Sequence, residues 1–197
     1  DIFTEKVVFD HEQTRRMLTA AKEAGLSVKM HADEIVPFGG AELAAELGCL
    51  SADHLLRISD AGIKALAESN TVATLLPCTA FSLRADYAPA RKMIDAGCAV
   101  ALGSDLNPGS CFSASVPLMF ALATLYMGMT VEEAITALTI NGAAAIGRAD
   151  TIGSIEPGKK GDLVVLQYPS YKFLSYHFGM NLVEHTVKGG RVVYTNS

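Results

Sequence analysis

Three residues that can bind a metal ion or transfer a proton each follow a short apolar run of the sequence: His31, His54 and Asp105. Glu34 lies shortly after His31 and adds a carboxylate beside it. Imidazole and carboxylate groups together are typical ligands of zinc and iron. A catalytic metal ion of this kind lowers the pKa of bound water to about 7 and makes hydroxide available. These residue types therefore indicate metal-assisted hydrolysis.

The elements around these residues predict a parallel sheet with helices outside it. Apolar stretches are each followed by helix signals, which makes four successive strand-then-helix units. Because the carboxyl ends of parallel strands meet at one face, His31, His54 and Asp105 can share one site there. The predicted strands are 26–30, 49–52, 71–76 and 98–103, and the predicted helices are 10–24, 41–47, 59–68, 89–97, 116–129 and 130–146.

The pattern changes after residue 153, where glycine and proline mark turns and strands follow one another without helices between them. Strands are predicted over 162–167, 183–188 and 191–194, and the Gly189-Gly190 step suits a hairpin between the last two. We therefore divide the chain into an α/β body over residues 1–150 and a small β domain over residues 151–197.

Composition limits the classes of function. Half of the 197 residues are hydrophobic and 19% are charged, which is typical of a globular protein. The net charge of −5 argues against a sequence-independent nucleic-acid binder, which needs a basic face. Four cysteines without Cys-x-x-Cys spacing predict buried thiols in a reducing compartment. No signal-peptide pattern opens the chain, and the apolar run 116–129 is shorter than the roughly 20 residues that span a bilayer. We expect a cytoplasmic protein with a small-molecule substrate and no nucleic-acid or membrane partner.

Four motifs together resemble the imidazolonepropionases, a family of the amidohydrolase superfamily. They are residues 31–34 (His-Ala-Asp-Glu), 51–55 (Ser-Ala-Asp-His-Leu), 104–109 (Ser-Asp-Leu-Asn-Pro-Gly) and 153–159 (Gly-Ser-Ile-Glu-Pro-Gly-Lys). This family hydrolyses the ring amide of 4-imidazolone-5-propanoate to N-formimino-L-glutamate in histidine degradation. The resemblance implies the C-terminal part of a (β/α)8 TIM-like metal-dependent hydrolase barrel over residues 1–150. Residues 151–197 would then be C-terminal strands of a small β-sandwich domain.

The resemblance also implies roles for individual residues. His31 and Asp105 would be ligands of one zinc or iron ion. The catalytic residues would be Glu34, which hydrogen-bonds the imidazolone ring and helps to orient or activate water, and His54, which polarises the reacting carbonyl. Asp105 would also be catalytic, passing a proton from water to the leaving nitrogen. The substrate-binding residues would be Glu34, His54, Asn107, Gly109 and Ser110, the last standing where the family usually has threonine.

One feature of the superfamily is absent from the sequence. Amidohydrolases of this kind have a His-x-His motif on the first barrel strand that supplies two metal ligands, and no His-x-His occurs in the 197 residues. We therefore expect this chain to correspond to about the second half of such an enzyme and to be inactive alone. The resemblance implies a homodimer for the full-length enzyme.

Two other interpretations of these motifs are open. Another amidohydrolase, such as a cytosine or guanine deaminase, also uses His-x-x-Glu after a strand and a later Ser-Asp. In the second interpretation the chain is a non-catalytic α/β domain that binds a small ligand or a partner chain. Residues 105–109 are then only a turn, and His54 is a surface histidine at a polar strand end. His177 and His185 fit structural or surface roles in both cases.

Overall fold

The computed structural model describes residues 1–196, and its main sheet has five parallel strands in sequence order. The strands are β1 (Ile2–Thr4), β2 (Met30–Ala32), β3 (Ser51–His54), β4 (Val72–Leu75) and β5 (Val100–Leu102). A (β/α)8 barrel has eight such strands. Residues 1–196 supply five of them, and β1 and β5 form the two edges of this open sheet. The α/β fold with a parallel sheet is as the sequence predicts.

Eight helices accompany this sheet within the described residues. They are α1 (His11–Glu23), α2 (Gly40–Glu46), α3 (Asp60–Ala67), α4 (Pro77–Ser82), α5 (Ala90–Asp95), α6 (Val116–Tyr126), α7 (Val131–Leu138) and α8 (Ile140–Ala145). The main core contains helix side chains together with the sheet face that carries Met30, Ala52 and Leu75. Capping boxes fix the starts of α1, at Asp10, and α7, at Thr130, as the sequence predicts.

The opposite face of the sheet is more polar. One register row on this face runs through Phe3, His31, Asp53, Thr74 and Ala101. The Asp53 carboxylate accepts a 2.6 Å hydrogen bond from the hydroxyl of its strand neighbour at residue 51 and lies 3.2 Å from the ammonium of residue 29. A small apolar cluster that includes part of α8 covers the row near Ala101. His31 therefore belongs to the polar inner face, next to the carboxyl ends of the strands.

The structure corrects several predicted boundaries. The chain begins with a strand, β1, as the strand-like sequence of residues 1–5 indicates, although the four predicted units do not count it. β2 lies at Met30–Ala32, later than the predicted strand 26–30, because it pairs with the short β1. Pro77 begins α4 after β4. The predicted helix 130–146 is broken at Thr139 into α7 and α8. The chain passes close to this break at Gly153, where a side chain would clash with the Thr139 carbonyl. The predicted buried helix 116–129 ends at Tyr126, which is exposed.

A second sheet of three antiparallel strands follows α8. Its strands are β6 (Leu163–Leu166), β7 (Val183–Lys188) and β8 (Arg191–Thr195). Positive φ angles at Gly189 and Gly190 make the tight turn between β7 and β8, as the sequence predicts. A short helix, α9 (Phe173–Tyr176), lies between β6 and β7, where no helix was expected. Residue 197 of the predicted β domain lies outside the described residues.

Two expectations from composition can be compared with this fold. All four cysteines are buried and free, as predicted. Within residues 1–196 no helix combines the length and apolarity needed to cross a bilayer.

Candidate active site

The imidazoles of His31 and His54 are neighbours at the carboxyl ends of β2 and β3, with ring centroids 5.0 Å apart. His54 is 2% exposed, so it is not a surface histidine. Its φ angle of +76° and that of Leu55, +61°, lie in the left-handed region that such residues rarely adopt. Backbone strain of this kind is concentrated at functional sites. The strained backbone of the turn after β3 therefore holds the His54 ring beside His31.

The imidazole of His31 has a carboxylate neighbour. The carboxylate of Asp1 lies 3.1 Å from His31 Nδ1. A carboxylate on one ring nitrogen is the arrangement that orients a metal-ligating histidine and leaves Nε2 for the metal. The surroundings of His31 therefore suit a ligand role.

Glu34 faces His54 across a short gap. Its Oε1 lies 3.6 Å from His54 Nδ1, which is too long for a hydrogen bond. Nδ1 is buried and has no other hydrogen-bond partner among residues 1–196. A buried polar atom without a partner is uncommon, and it indicates that a ligand or water completes this site.

Burial shifts the pKa of the His54 imidazole and of the Glu34 carboxyl in opposite directions. Burial, together with the nearby charge of His31, lowers the pKa of His54 well below its usual value, so its imidazole is neutral at pH 7. Burial also raises the pKa of the Glu34 carboxyl, and His31 opposes this shift. The negative charges of Asp105 and Glu5 raise the pKa of Glu34 further. A neutral imidazole can donate a hydrogen bond at one nitrogen and accept one at the other.

Asp105 stands just beyond the end of β5 with a φ angle of +50°. Its Oδ2 accepts a 2.6 Å hydrogen bond from the hydroxyl of Thr79, which is buried on α4 after β4. Thr79 was not among the predicted site residues. The sequence pattern held a signal for it, because β4 was the one predicted strand without a chemically active residue at its carboxyl end. Thr79 fills that position and fixes the orientation of the Asp105 carboxylate.

The loop after Asp105 is closed by the side chain of Asn107. Its Oδ1 accepts hydrogen bonds from the backbone N–H groups of Gly109 and Ser110, both at 2.8 Å. Its Nδ2 donates to the Asp105 carbonyl at 2.8 Å and to the Ser110 hydroxyl at 2.9 Å. The segment is thus a turn, as one interpretation has it, and this turn also carries Asp105. Substrate binding by Asn107, Gly109 and Ser110 stays a prediction.

The two adjacent carboxylates after β2 have different surroundings. Asp33 is 1% exposed, and its oxygens accept hydrogen bonds from four backbone N–H groups, at residues 38, 39, 40 and 41 and distances of 2.7 to 3.2 Å. Glu34, by contrast, points towards His54. Asp33 therefore stabilises the loop, whereas the Glu34 carboxylate remains available to contact a substrate.

The residues of this chain fit a metal ion as part of a ligand set. His31 and Asp105 are donors of the right chemical type at the same end of the sheet. Nowhere in residues 1–196 do three His, Cys, Asp or Glu side chains form a group able to hold a metal ion. A catalytic zinc site takes three protein ligands. The chain's donors thus suit an incomplete site, in agreement with the missing His-x-His.

Two surface cavities lie away from these residues. One, of about 280 Å³, is lined by residues that include Cys98 and Glu132, and the other, of about 350 Å³, by residues that include Asp60 and Lys92. Neither is lined by the candidate residues.

A parallel α/β sheet with imidazoles and carboxylates at its strand ends is the architecture of metal-dependent hydrolases. The chain belongs to the amidohydrolase family, whose sequence profile matches residues 4–193. It is 69% identical over 192 residues to the imidazolonepropionase of Parabacteroides distasonis, an alignment that covers 98% of this chain and 46% of that protein. It is 64% identical over 197 residues to the imidazolonepropionase of Clostridium tetani, covering 100% of this chain and 47% of that protein. The chain thus spans about half the length of the curated relatives it matches.

Solved structures share the fold at lower identity. An adenosine deaminase from Xanthomonas campestris with bound zinc superposes with a TM-score of 0.80 at 21% identity, covering 97% of this chain and 50% of that one. A 5-methylcytosine deaminase from Klebsiella pneumoniae liganded with 5-fluorocytosine gives 0.78 at 16% identity, covering 95% and 52%. At these identities the likeness concerns the fold alone. The much higher identity to imidazolonepropionases confirms the resemblance that the motifs indicated.

Proposed function

We propose that a protein containing this chain, together with the remaining length that its relatives have, hydrolyses 4-imidazolone-5-propanoate to N-formimino-L-glutamate. The observation that carries the proposal is the meeting of Glu34 and His54 at the strand ends of a chain 64–69% identical to imidazolonepropionases. The proposal includes the partial barrel over residues 1–150 and the small β domain over residues 151–197. It also includes one zinc or iron ion, a homodimeric enzyme and a cytoplasmic location.

The metal would be held by His31 and Asp105 with ligands from the rest of the protein. When bound, it supplies Lewis-acid chemistry and lowers the pKa of water to about 7. The chain's own residues would orient the substrate, stabilise developing charge and move protons.

Each catalytic residue has a distinct task in this proposal. Glu34 accepts a hydrogen bond from the imidazolone ring N–H and holds the ring in place. Neutral His54 donates a hydrogen bond to the carbonyl oxygen as negative charge develops there. Asp105 accepts a proton from the attacking water and transfers it to the ring nitrogen. The water oxygen bonds to the carbonyl carbon, the carbon–nitrogen bond breaks, and the nitrogen keeps the electron pair and takes the proton.

A substrate panel separates this proposal from the deaminase interpretation. Opening the ring of 4-imidazolone-5-propanoate gives N-formimino-L-glutamate and releases no ammonia, whereas deamination of cytosine or guanine releases one ammonia. We expect the full-length protein to consume imidazolonepropionate, followed by its absorbance, and to leave cytosine and guanine unchanged. Ammonia release from either base, with imidazolonepropionate untouched, would replace the proposal by the deaminase interpretation.

Thr79→Val is expected to weaken metal binding through Asp105. Valine keeps the shape of threonine but cannot donate to Asp105 Oδ2, so the carboxylate loses the bond that orients it. Loss of such an outer partner typically lowers metal affinity or activity roughly 10- to 100-fold. The measurement is the dissociation constant for zinc in the full-length protein. Thr79→Ser keeps the hydroxyl and serves as the control, and equal affinities for the two variants would remove this role of Thr79.

A further inference from the structure

Glu5 is a buried carboxylate that the proposed reaction does not use. It follows β1 directly and is 1% exposed. Its own backbone is fixed, because its N–H donates to the Phe9 carbonyl at 3.1 Å and its carbonyl accepts from the Val8 N–H at 2.9 Å. A buried carboxylate is costly unless hydrogen bonds compensate it. Its partners therefore indicate what the residue is for.

The Glu5 side chain binds the backbone just after Glu34. Oε2 accepts hydrogen bonds from the N–H groups of Ile35, at 2.9 Å, and Val36, at 3.3 Å, while Oε1 accepts from the Lys6 N–H at 2.9 Å. Hydrogen bonds to a charged acceptor are stronger than neutral ones. The first strand is thereby tied to the loop after the second, across the end of the sheet.

Two buried carboxylates thus brace the loop that carries Glu34. Asp33 holds the backbone at residues 38–41, and Glu5 holds it at residues 35 and 36. The two amides bound by Glu5 follow Glu34 directly, so these bonds restrain the backbone on the C-terminal side of its Cα. Ile35 itself is 53% exposed, and its side chain contributes little to anchoring the segment. The Glu5 bonds therefore restrain the segment on the C-terminal side of Glu34, while a 2.8 Å hydrogen bond from the Arg57 N–H to the Asp33 carbonyl restrains it on the N-terminal side.

We propose that Glu5 is a positioning residue that holds segment 34–36 so that Glu34 faces His54. Its effect on turnover rests on the proposed function, whereas its effect on the segment does not. The negative charge of Glu5 acts in the same place, since it contributes to the raised pKa of Glu34.

The test compares Glu5→Gln with Glu23→Gln in the full-length protein. Glutamine has one acceptor oxygen and no charge, so it cannot satisfy both sets of N–H groups as strongly. Glu23, exposed at the end of α1, is the matched control. Amide hydrogen exchange at Ile35 and Val36 is expected to accelerate by about tenfold or more in Glu5→Gln, without change at residues 38–41, which Asp33 holds. If Glu5→Gln does not fold, Glu5→Asp, which withdraws the carboxylate by one methylene, is expected to give the same pattern.

Turnover of imidazolonepropionate gives the second measurement. We expect kcat to fall roughly tenfold to a hundredfold in Glu5→Gln, as for a displaced catalytic group. In a Glu34→Gln background the same change is expected to cost less than about twofold, because residues that act through one another are not additive. The proposal would be overturned if exchange at Ile35 and Val36 were unchanged in Glu5→Gln. It would also be overturned if the falls in kcat caused by Glu5→Gln and Glu34→Gln multiplied in the double variant. Accelerated exchange in Glu5→Gln together with no turnover of imidazolonepropionate by the wild-type protein would remove the proposed function and leave the positioning of the segment established.

Discussion

Asp105→Ala is expected to lower kcat for imidazolonepropionate by roughly 10³- to 10⁴-fold in the full-length protein, because in the proposed reaction Asp105 is both the proton-transfer group and a metal ligand. The fold should survive, since Asp105 lies beyond the end of β5 and, within residues 1–196, its side chain accepts a hydrogen bond only from the Thr79 hydroxyl. The measurement is steady-state turnover at saturating zinc, with bound zinc determined on the same samples.

The matched control for this change is Asp95→Ala. Asp95 is an exposed carboxylate at the end of α5 that pairs with Arg91, and its loss should leave kcat within about twofold. Retention of more than about a tenth of wild-type kcat by Asp105→Ala would contradict the role assigned to this residue. Turnover would then need another base and another ligand.

Asp33→Ala is expected to cost about 4 kcal/mol or more of the free energy of unfolding, the largest stability effect of the site. Four backbone N–H groups lose their acceptor, and a buried unsatisfied donor costs about 1–3 kcal/mol. Alanine also disfavours the φ angle of +49° found at this position. Asp33→Asn keeps one acceptor oxygen and tolerates this φ angle, so its cost should be about 1–3 kcal/mol.

Urea unfolding of the variants measures these differences. Asp86→Asn is the control, because Asp86 is an exposed partner of Arg57 and its replacement should change the free energy of unfolding by less than about 0.5 kcal/mol. If Asp33→Ala and Asp86→Asn unfold at the same urea concentration, the hydrogen bonds to Asp33 do not stabilise the loop. Asp33 would then have to be reconsidered as a chemical residue alongside Glu34.

The sequence predicted well where the candidate residues lie. Parallel strands place their carboxyl ends together whatever the details of packing. For this reason short apolar runs alone could place His31, His54 and Asp105 near strand ends, whereas their roles stay predictions. The spacing could not show which of Asp33 and Glu34 faces the imidazoles. That choice depends on the left-handed turn at Asp33, which only the surrounding loop imposes.

The partners of the supporting residues were beyond the reach of the sequence pattern. Glu5 binds amides about thirty positions away, and Thr79, whose place after β4 the pattern did mark, binds a carboxylate beyond the end of β5. Such contacts come from tertiary packing and leave no local periodicity. The short first strand was recognised only in part, because residues 1–5 resemble a strand in sequence but three residues carry too little pattern to fix its ends.

The most direct test of the account is the reaction itself. The full-length protein is incubated with 4-imidazolone-5-propanoate before and after removal of metal by a chelator, and the product is quantified. We expect one N-formimino-L-glutamate for each substrate consumed, loss of turnover on chelation and recovery on return of zinc or iron. A folded, metal-loaded protein that leaves imidazolonepropionate unchanged would contradict the account.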